Sequence, residues 1–221
     1  MRWVVKDPDL ESFIEPSQDL TQTSIALVKV RDYGPKLLKG EKTMASKMTQ
    51  SRSKMFSSGR YAVHLAQEAI NAKPREILHE GRAPIWPSGQ MGAITHSKKY
   101  AGAIVSTELR GVGLDFEEVG RIQPKLYAKL FTKDEESWLR QQTRPEASTI
   151  IFSAKESVYK GIFPILKRYV GFQEVEIELD WNSARFDIRY LEEDMYEVSG
   201  LDTEGFWSVS GSSVLTVVKV K

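Results

Sequence analysis

Apolar positions along this chain follow two different periods, and the changes of period mark where helices give way to strands. Ala147, Ile150, Ile151, Ala154, Val158 and Ile162 recur at helical spacing, which predicts a helix from Pro145 to Leu166. In GVGLDFEEVG at 111–120 the period is two, so Leu114 and Phe116 should face a core while Asp115 and Glu117 project together from the other side. The stretch from Glu174 alternates as well. It sets Val175, Ile177, Leu179 and Trp181 against Glu174, Glu176, Glu178 and Asp180, the pattern of a sheet with one solvated face.

Other elements follow from turn residues. SIALVKVR at 24–31 predicts a strand, and GPKLLKGEKT a loop broken by Gly34, Pro35 and Gly40. A long helix is expected from Met44 to Ala72, ended by Lys73-Pro74. GRAPIWPSGQ reads as a loop leading into two short strands, GAITHS and AGAIVST, with a turn at Glu108–Arg110 before the GVGLDFE strand. A helix is expected from Pro124 to Phe131, and another at Thr132, where TKDE has the form of a capping box. Strands are expected at Glu174–Trp181, Arg185–Leu191, Phe206–Ser210 and Val214–Val220. The order describes two α+β halves meeting near residue 110, although no repeat is visible letter by letter.

Composition narrows the classes. At 221 residues with 41% hydrophobic and 28% charged positions, the chain can build a sizeable core. With no cysteine it has neither disulfides nor thiol chemistry, which fits a cytoplasmic location. No stretch approaches the roughly 18 apolar residues of a membrane helix, and MRWVVKDPDLESF has no signal-peptide core. The net charge of +1 conceals an asymmetry: nine Lys or Arg against Asp32 and Glu41 between Lys29 and Arg60, and eleven acids against Arg185 and Arg189 between Glu174 and Glu204. The basic stretch can hold an anion or be a solvated helix face and loop.

Chemistry concentrates in two segments, GVGLDFEEVG and FSAKESVYKG at 152–161. Glu156 and Lys160 lie one turn apart on one helix face. Three carboxylates with two lysines suit a magnesium ion and a pyrophosphate, since magnesium takes hard oxygen ligands and shares them with phosphate. Asp115 and Glu117 have Cα atoms about 6.6 Å apart along a strand, so the longer Glu117 arm must bend back to share an ion. The plainer alternatives are two acids alternating on a solvent-facing strand, and an exposed Glu-to-Lys pair on a helix. His96, between Thr95 and Ser97, can bind phosphate or be structural; His64 and His79 read as structural or surface residues.

These residues resemble a known family. GVGLDFE is similar to the (V/I)G(V/I)D-x-E signature, and FSAKES with Lys160 to the (F/W)(S/C/T)-x-K-E-(S/A)-x-x-K signature, of the 4'-phosphopantetheinyl transferases. RAPIWPSGQMGAITHSKKYAGAIVS and SRSKMFSSGRYAVHLA resemble the corresponding upstream segments of the group typified by enterobactin synthetase component D. Thr95 stands where serine is usual, and the first and last fifty residues carry no matching motif.

The resemblance implies transfer of the phosphopantetheine arm of coenzyme A to a serine of an apo acyl or peptidyl carrier protein, with release of adenosine 3',5'-bisphosphate. It implies magnesium, or manganese, held by Asp115, Glu117 and Glu156. Glu156 becomes the base or water-positioning group, and Lys160 the lysine on the pyrophosphate, with Lys155 assisting. Thr95 and His96 become contacts to the 3'-phosphate, and Arg60, Arg82 and the weaker candidate Arg52 line the nucleotide site. The expected fold is two similar α+β subdomains related by a pseudo-twofold, each a small, mostly antiparallel sheet with helices, with the active site between them. Residues 1–110 would carry coenzyme A contacts, and 111–221 the metal and catalytic groups. A cytoplasmic monomer that binds no nucleic acid is expected, serving carriers of peptide, siderophore or polyketide synthesis. Two other classes would use the same groups: a metal-dependent nucleotide or coenzyme A phosphohydrolase, and a non-catalytic coenzyme A or carrier binder.

Overall fold

Strand β2 (Thr23–Lys29) is buried over all but its last residue because it lies inside a sheet covered by a long helix. The computed structural model describes residues 1–13, 20–81, 83–192 and 195–221, in two compact units, Met1–Leu109 and Arg110–Lys221. In the first unit β1 (Arg2–Val5) runs parallel to β2, while β6 (Tyr100–Ser106) pairs antiparallel with both β2 and β5 (Met91–His96). Among the described residues this gives a four-stranded sheet in the order β1-β2-β6-β5, beside a small hairpin of β3 (Leu78–Glu80) and β4 (Ala83–Ile85). Ala62, Val63 and Ala66 press against Ala26, Val28, Ala103 and Val105, and these small side chains let helix and sheet approach closely.

The long helix expected over Met44–Ala72 is two helices, α1 (Lys39–Ala45) and α2 (Gln50–Ala69). Thr49 caps α2 by accepting the Arg52 N–H, a role for which its hydroxyl is better suited than for a helix interior. α1 begins inside the segment expected to be a loop. Fully buried Glu41 explains this, because its carboxylate reaches back to the Leu38 N–H at 3.0 Å and outward to the Ile77 N–H at 3.0 Å.

In the second unit β7 (Gly111–Glu118), β8 (Val175–Asp180), β9 (Arg185–Tyr190), β10 (Thr203–Ser210) and β11 (Ser213–Val220) form an antiparallel sheet in the order β7-β11-β10-β9-β8, among the described residues. Short helices α3 (Tyr127–Leu130) and α4 (Lys133–Leu139) precede α5 (Ala147–Leu166); α6 (Tyr196–Ser199) lies between β9 and β10. The apolar stripe of α5 is buried as its spacing requires, with Ile150, Ile151, Ala154, Val158 and Ile162 at 0–1% exposure. Both units join an antiparallel or mostly antiparallel sheet to one long helix, an α+β architecture.

α5 meets β7 through backbone. A methyl group placed on Gly111 would overlap the Gly161 carbonyl oxygen, and one placed on Gly113 would overlap that of Ser157. Only glycine permits this approach. No helix among the described residues is long and apolar enough to cross a membrane.

Candidate functional site

Close packing of α5 on β7 determines which polar groups meet. Asp115 follows Gly113 on the same face of β7 and is 4% exposed, and Glu117 is 8% exposed. The alternation expected of this strand holds, but the acids lie under the helix and not in solvent. Lys160 Nζ stands 2.7 Å from Asp115 Oδ1 and donates to the Leu114 carbonyl at 3.0 Å. The Ser153 hydroxyl donates to Asp115 Oδ2 at 2.9 Å. Ser153 and Ser157 both reach the Thr216 hydroxyl, at 2.9 and 2.7 Å, and β11 register places Thr216 opposite Asp115. Buried hydroxyls thus support the carboxylate from beneath, and each finds a partner.

Glu156 and Glu117 complete the acidic group. Burial pushes the Glu156 carboxyl above its ordinary value; the Asp115 charge adds to the shift, and Lys160 and Arg121 oppose it. Glu117 is raised for the same reasons, burial first and Asp115 second, even though Arg121 Nη1 lies 2.6 Å from its Oε2. Two carboxylates are therefore held protonated to higher pH by a neighbour's negative charge and by loss of water.

This donor set fits a small hard cation in kind. Carboxylate oxygens are what magnesium takes, and a divalent ion among them would remove the repulsion that raises Glu117 and Glu156. As they stand, no three His, Asp or Glu side chains among the described residues converge to hold one ion. Lys160 and Arg121 each engage one oxygen of Asp115 and Glu117, so an ion would share these carboxylates with them.

The structure does not bring Lys155 into this group. Adjacent helix residues are rotated by about 100°, and Lys155 turns away from Asp115 into the core. Its ammonium sits 2.6 Å from Glu135 Oε2 and donates to the Phe172 carbonyl at 2.5 Å, with both charged side chains at 2% exposure. Burial pushes Lys155 down and Glu135 up, each opposed by the partner's charge. An ammonium so enclosed is not available to a pyrophosphate, so the assisting role expected of Lys155 is not retained.

In the first unit Arg52, Phe56, Arg60 and His64 fall on one stripe of α2 by their spacing of four. Arg52 is exposed in the first turn. Arg60 is 7% exposed, donates through Nε to the Ile77 carbonyl at 2.7 Å, and lies 4.5 Å above the Phe56 ring. Burial lowers its pKa to about 10, against the pull of Glu41, and leaves it cationic at neutral pH. His64 pairs with Glu41 at 3.2 Å, the structural role its sequence context indicates. Thr95 and His96 end β5 on opposite faces, Thr95 at 5% exposure and His96 exposed. Arg82 lies outside the described residues. Leu38, Leu78, Ile85 and Trp86 give apolar walls to a concavity of about 650 Å³ whose charged lining is Lys73, Arg75 and the carboxylate of Glu76.

Thr216, Arg121 and Glu135 are parts of these sites that sequence reasoning did not single out. A hydroxyl in the middle of the apolar run VLTVVKV, and a glutamate in a capping box with no need to be buried, were the available signals.

Residues 40–106 match the 4'-phosphopantetheinyl transferase N-terminal domain, and residues 111–212 match the 4'-phosphopantetheinyl transferase superfamily. The chain is 28% identical over 190 residues to the 4'-phosphopantetheinyl transferase PptT of Mycobacterium tuberculosis, covering 80% of this chain and 83% of that one. It is 26% identical over 192 residues to the 4'-phosphopantetheinyl transferase Npt of Nocardia iowensis, covering 80% and 86%. Against enterobactin synthase component D of Salmonella typhi it is 28% identical over 165 residues, covering 73% and 69%. With matches to both family domains that together span most of its length, the chain belongs to the 4'-phosphopantetheinyl transferase superfamily, in the group of enterobactin synthase component D.

Proposed function

We propose that the Asp115, Glu117, Glu156 and Lys160 group carries the phosphopantetheinyl transfer of this family. The chain moves the phosphopantetheine arm of coenzyme A onto a carrier protein. In that reaction the carrier serine oxygen bonds to the phosphorus nearer the pantetheine, and the bond from that phosphorus to the bridging oxygen breaks. Adenosine 3',5'-bisphosphate leaves with the bridging oxygen, and the serine proton passes to a base. Such a reaction needs mainly positioning and charge stabilisation.

The single observation that carries the assignment is the meeting of Lys160 and Asp115 at 2.7 Å, near enough to Glu156 for the charges of both to act on its carboxyl. Glu156, with its proton affinity increased by burial, is matched to taking the serine proton or holding a water that does so. Lys160, partly exposed, supplies positive charge where the leaving phosphate develops negative charge. Asp115 is oriented by the buried Ser153 hydroxyl, and Glu117 pairs with the largely exposed Arg121. Magnesium would be held by Asp115, Glu117 and Glu156, and bound there it would neutralise pyrophosphate charge. In the first unit, exposed His96 beside Thr95 suits the 3'-phosphate, and exposed Arg52 and the cationic Arg60 suit the rest of the nucleotide. The carriers would belong to peptide or siderophore synthesis, as the name of the enterobactin relative indicates for that protein.

The test is incubation with coenzyme A, magnesium and a panel of apo carriers, followed by intact mass. Addition of one phosphopantetheine, with stoichiometric adenosine 3',5'-bisphosphate, is expected. Coenzyme A turnover that needs no carrier would point to a hydrolase, and coenzyme A binding without turnover to a binder.

A further inference from the structure

We propose that Lys155 is a positioning residue, not a substrate ligand: its buried bond to Glu135 sets how α5 sits, and so where Glu156 and Lys160 stand relative to Asp115. The inference rests on the assignment of Glu156 and Lys160 to the transfer site.

One carboxylate gathers most of the surrounding structure. Glu135 Oε2 accepts the Thr132 N–H at 2.8 Å, closing the cap of α4, and Oε1 accepts the Ile177 N–H at 2.8 Å, fixing the start of β8. Lys155 adds α5 at 2.6 Å and the Phe172 carbonyl at 2.5 Å. Phe172 in turn stacks on Phe152, one turn of α5 earlier, at 5.5 Å between ring centres. The Phe131 ring lies 6.0 Å from the lysine nitrogen. Three separate elements therefore meet at a single ion pair with almost no water around it.

A long, flexible lysine enclosed in a core would ordinarily be replaced by an apolar residue, since burying its charge is costly. Its presence here makes sense as a directional tie. Apolar contacts on α5 resist separation but allow a helix to turn about its axis, whereas an ammonium held by a carboxylate and a carbonyl does not. The residue next to Lys155 is Glu156, so rotation of α5 around this anchor moves Glu156 and Lys160 directly. On the other side of the helix, Gly113 and Ser157 set its height above β7. Ser153, Ser157 and Lys160 tie that side of α5 to Asp115 and Thr216, and the Lys155–Glu135 pair holds the opposite side, so the helix is fixed against rotation from both faces.

Lys155→Met, Glu135→Gln and the double variant test this, with kcat and KM for coenzyme A measured per folded molecule and folding followed by circular dichroism. Each single variant should lose about ten- to a hundredfold in kcat, the scale of sub-ångström to ångström misplacement, with KM for coenzyme A unchanged within about twofold. The double variant should lose no more than either single one, because both break the same tie. Glu135 keeps its two backbone partners in Lys155→Met, and Glu135→Gln keeps the side-chain shape, so at least one of them is expected to fold. The proposal is overturned by a several-fold rise in KM for coenzyme A in Lys155→Met with Glu135→Gln unaffected, by additive losses in the double variant, or by wild-type kcat in the folded variants. Failure of the underlying site assignment would appear separately, as wild-type kcat in Glu156→Ala and Lys160→Ala.

Discussion

Asp115 is the residue on which the site converges: it takes a proton donor from Ser153, a cation from Lys160, and imposes its charge on Glu117 and Glu156. Asp115→Ala and Glu156→Ala should each lower transfer by about 100- to 1000-fold, the usual cost of removing one preorganised charge, while circular dichroism stays native. Near-wild-type rates in either would remove that residue from the site. A different carboxylate, Glu204, contributes to acid stability. Hydrogen bonds from Lys219 and then Lys221 hold the Glu204 carboxyl down from 4.5 to about 2. A depressed carboxylate stabilises the fold above its unfolded pKa and ceases to do so as pH falls through the folded one. Glu204→Gln should therefore melt below wild type at pH 7, and the gap should close between pH 4.5 and about 2 in a pH series of thermal melts. A gap independent of pH would mean that the lysine pairs contribute nothing through charge.

At the scale of elements, α5 and β7 form the unit that matters. Gly113→Ala puts a methyl group into the Ser157 carbonyl, so helix or strand must shift, at a cost of about 1–3 kcal/mol. Denaturant unfolding should report that loss, and transfer should fall with it because Asp115 and Glu156 are carried on the two displaced elements; unchanged stability would show that the backbone gives way easily. Both elements were legible beforehand because each has an unmistakable period, 3.6 in α5 and 2 in β7. The break between α1 and α2 was not, since Thr49 reads as an ordinary helical residue until its hydroxyl is seen to cap Arg52. Strand β1 and the β3–β4 hairpin were also missed, being only four and three residues long. The placing of Asp115 with Glu117 on one strand face and of Glu156 with Lys160 one helical turn apart could be read from spacing. What spacing could not tell was that Lys155, one residue from Glu156, points into a core, because that depends on Glu135 arriving from another helix.

For the whole molecule, a formal charge of +1 describes little, because the cations of residues 29–60 and the acids of 174–204 belong to different units. Lys36, Lys39 and Lys42 are exposed and form part of the basic stretch. If they steer an acidic carrier, charge reversal at all three should raise KM for the carrier and flatten its dependence on salt, with KM for coenzyme A unaltered. Kinetics from low salt to about 0.5 M, beyond which surface charges are largely screened, would check this. A carrier KM indifferent to both changes would place recognition elsewhere.

The glycine contacts between α5 and β7 have one more consequence. Main-chain atoms make this contact, so as long as Gly111 and Gly113 are kept, the distance between α5 and β7 does not depend on which side chains surround it. Provided the Lys155–Glu135 tie is kept, Ile151, Val158 and Ile162 on the core side of α5 can accept volume-conserving exchanges that alter robustness more than chemistry. A protein engineer can vary those positions in a library and select for heat tolerance, with turnover as a passive readout.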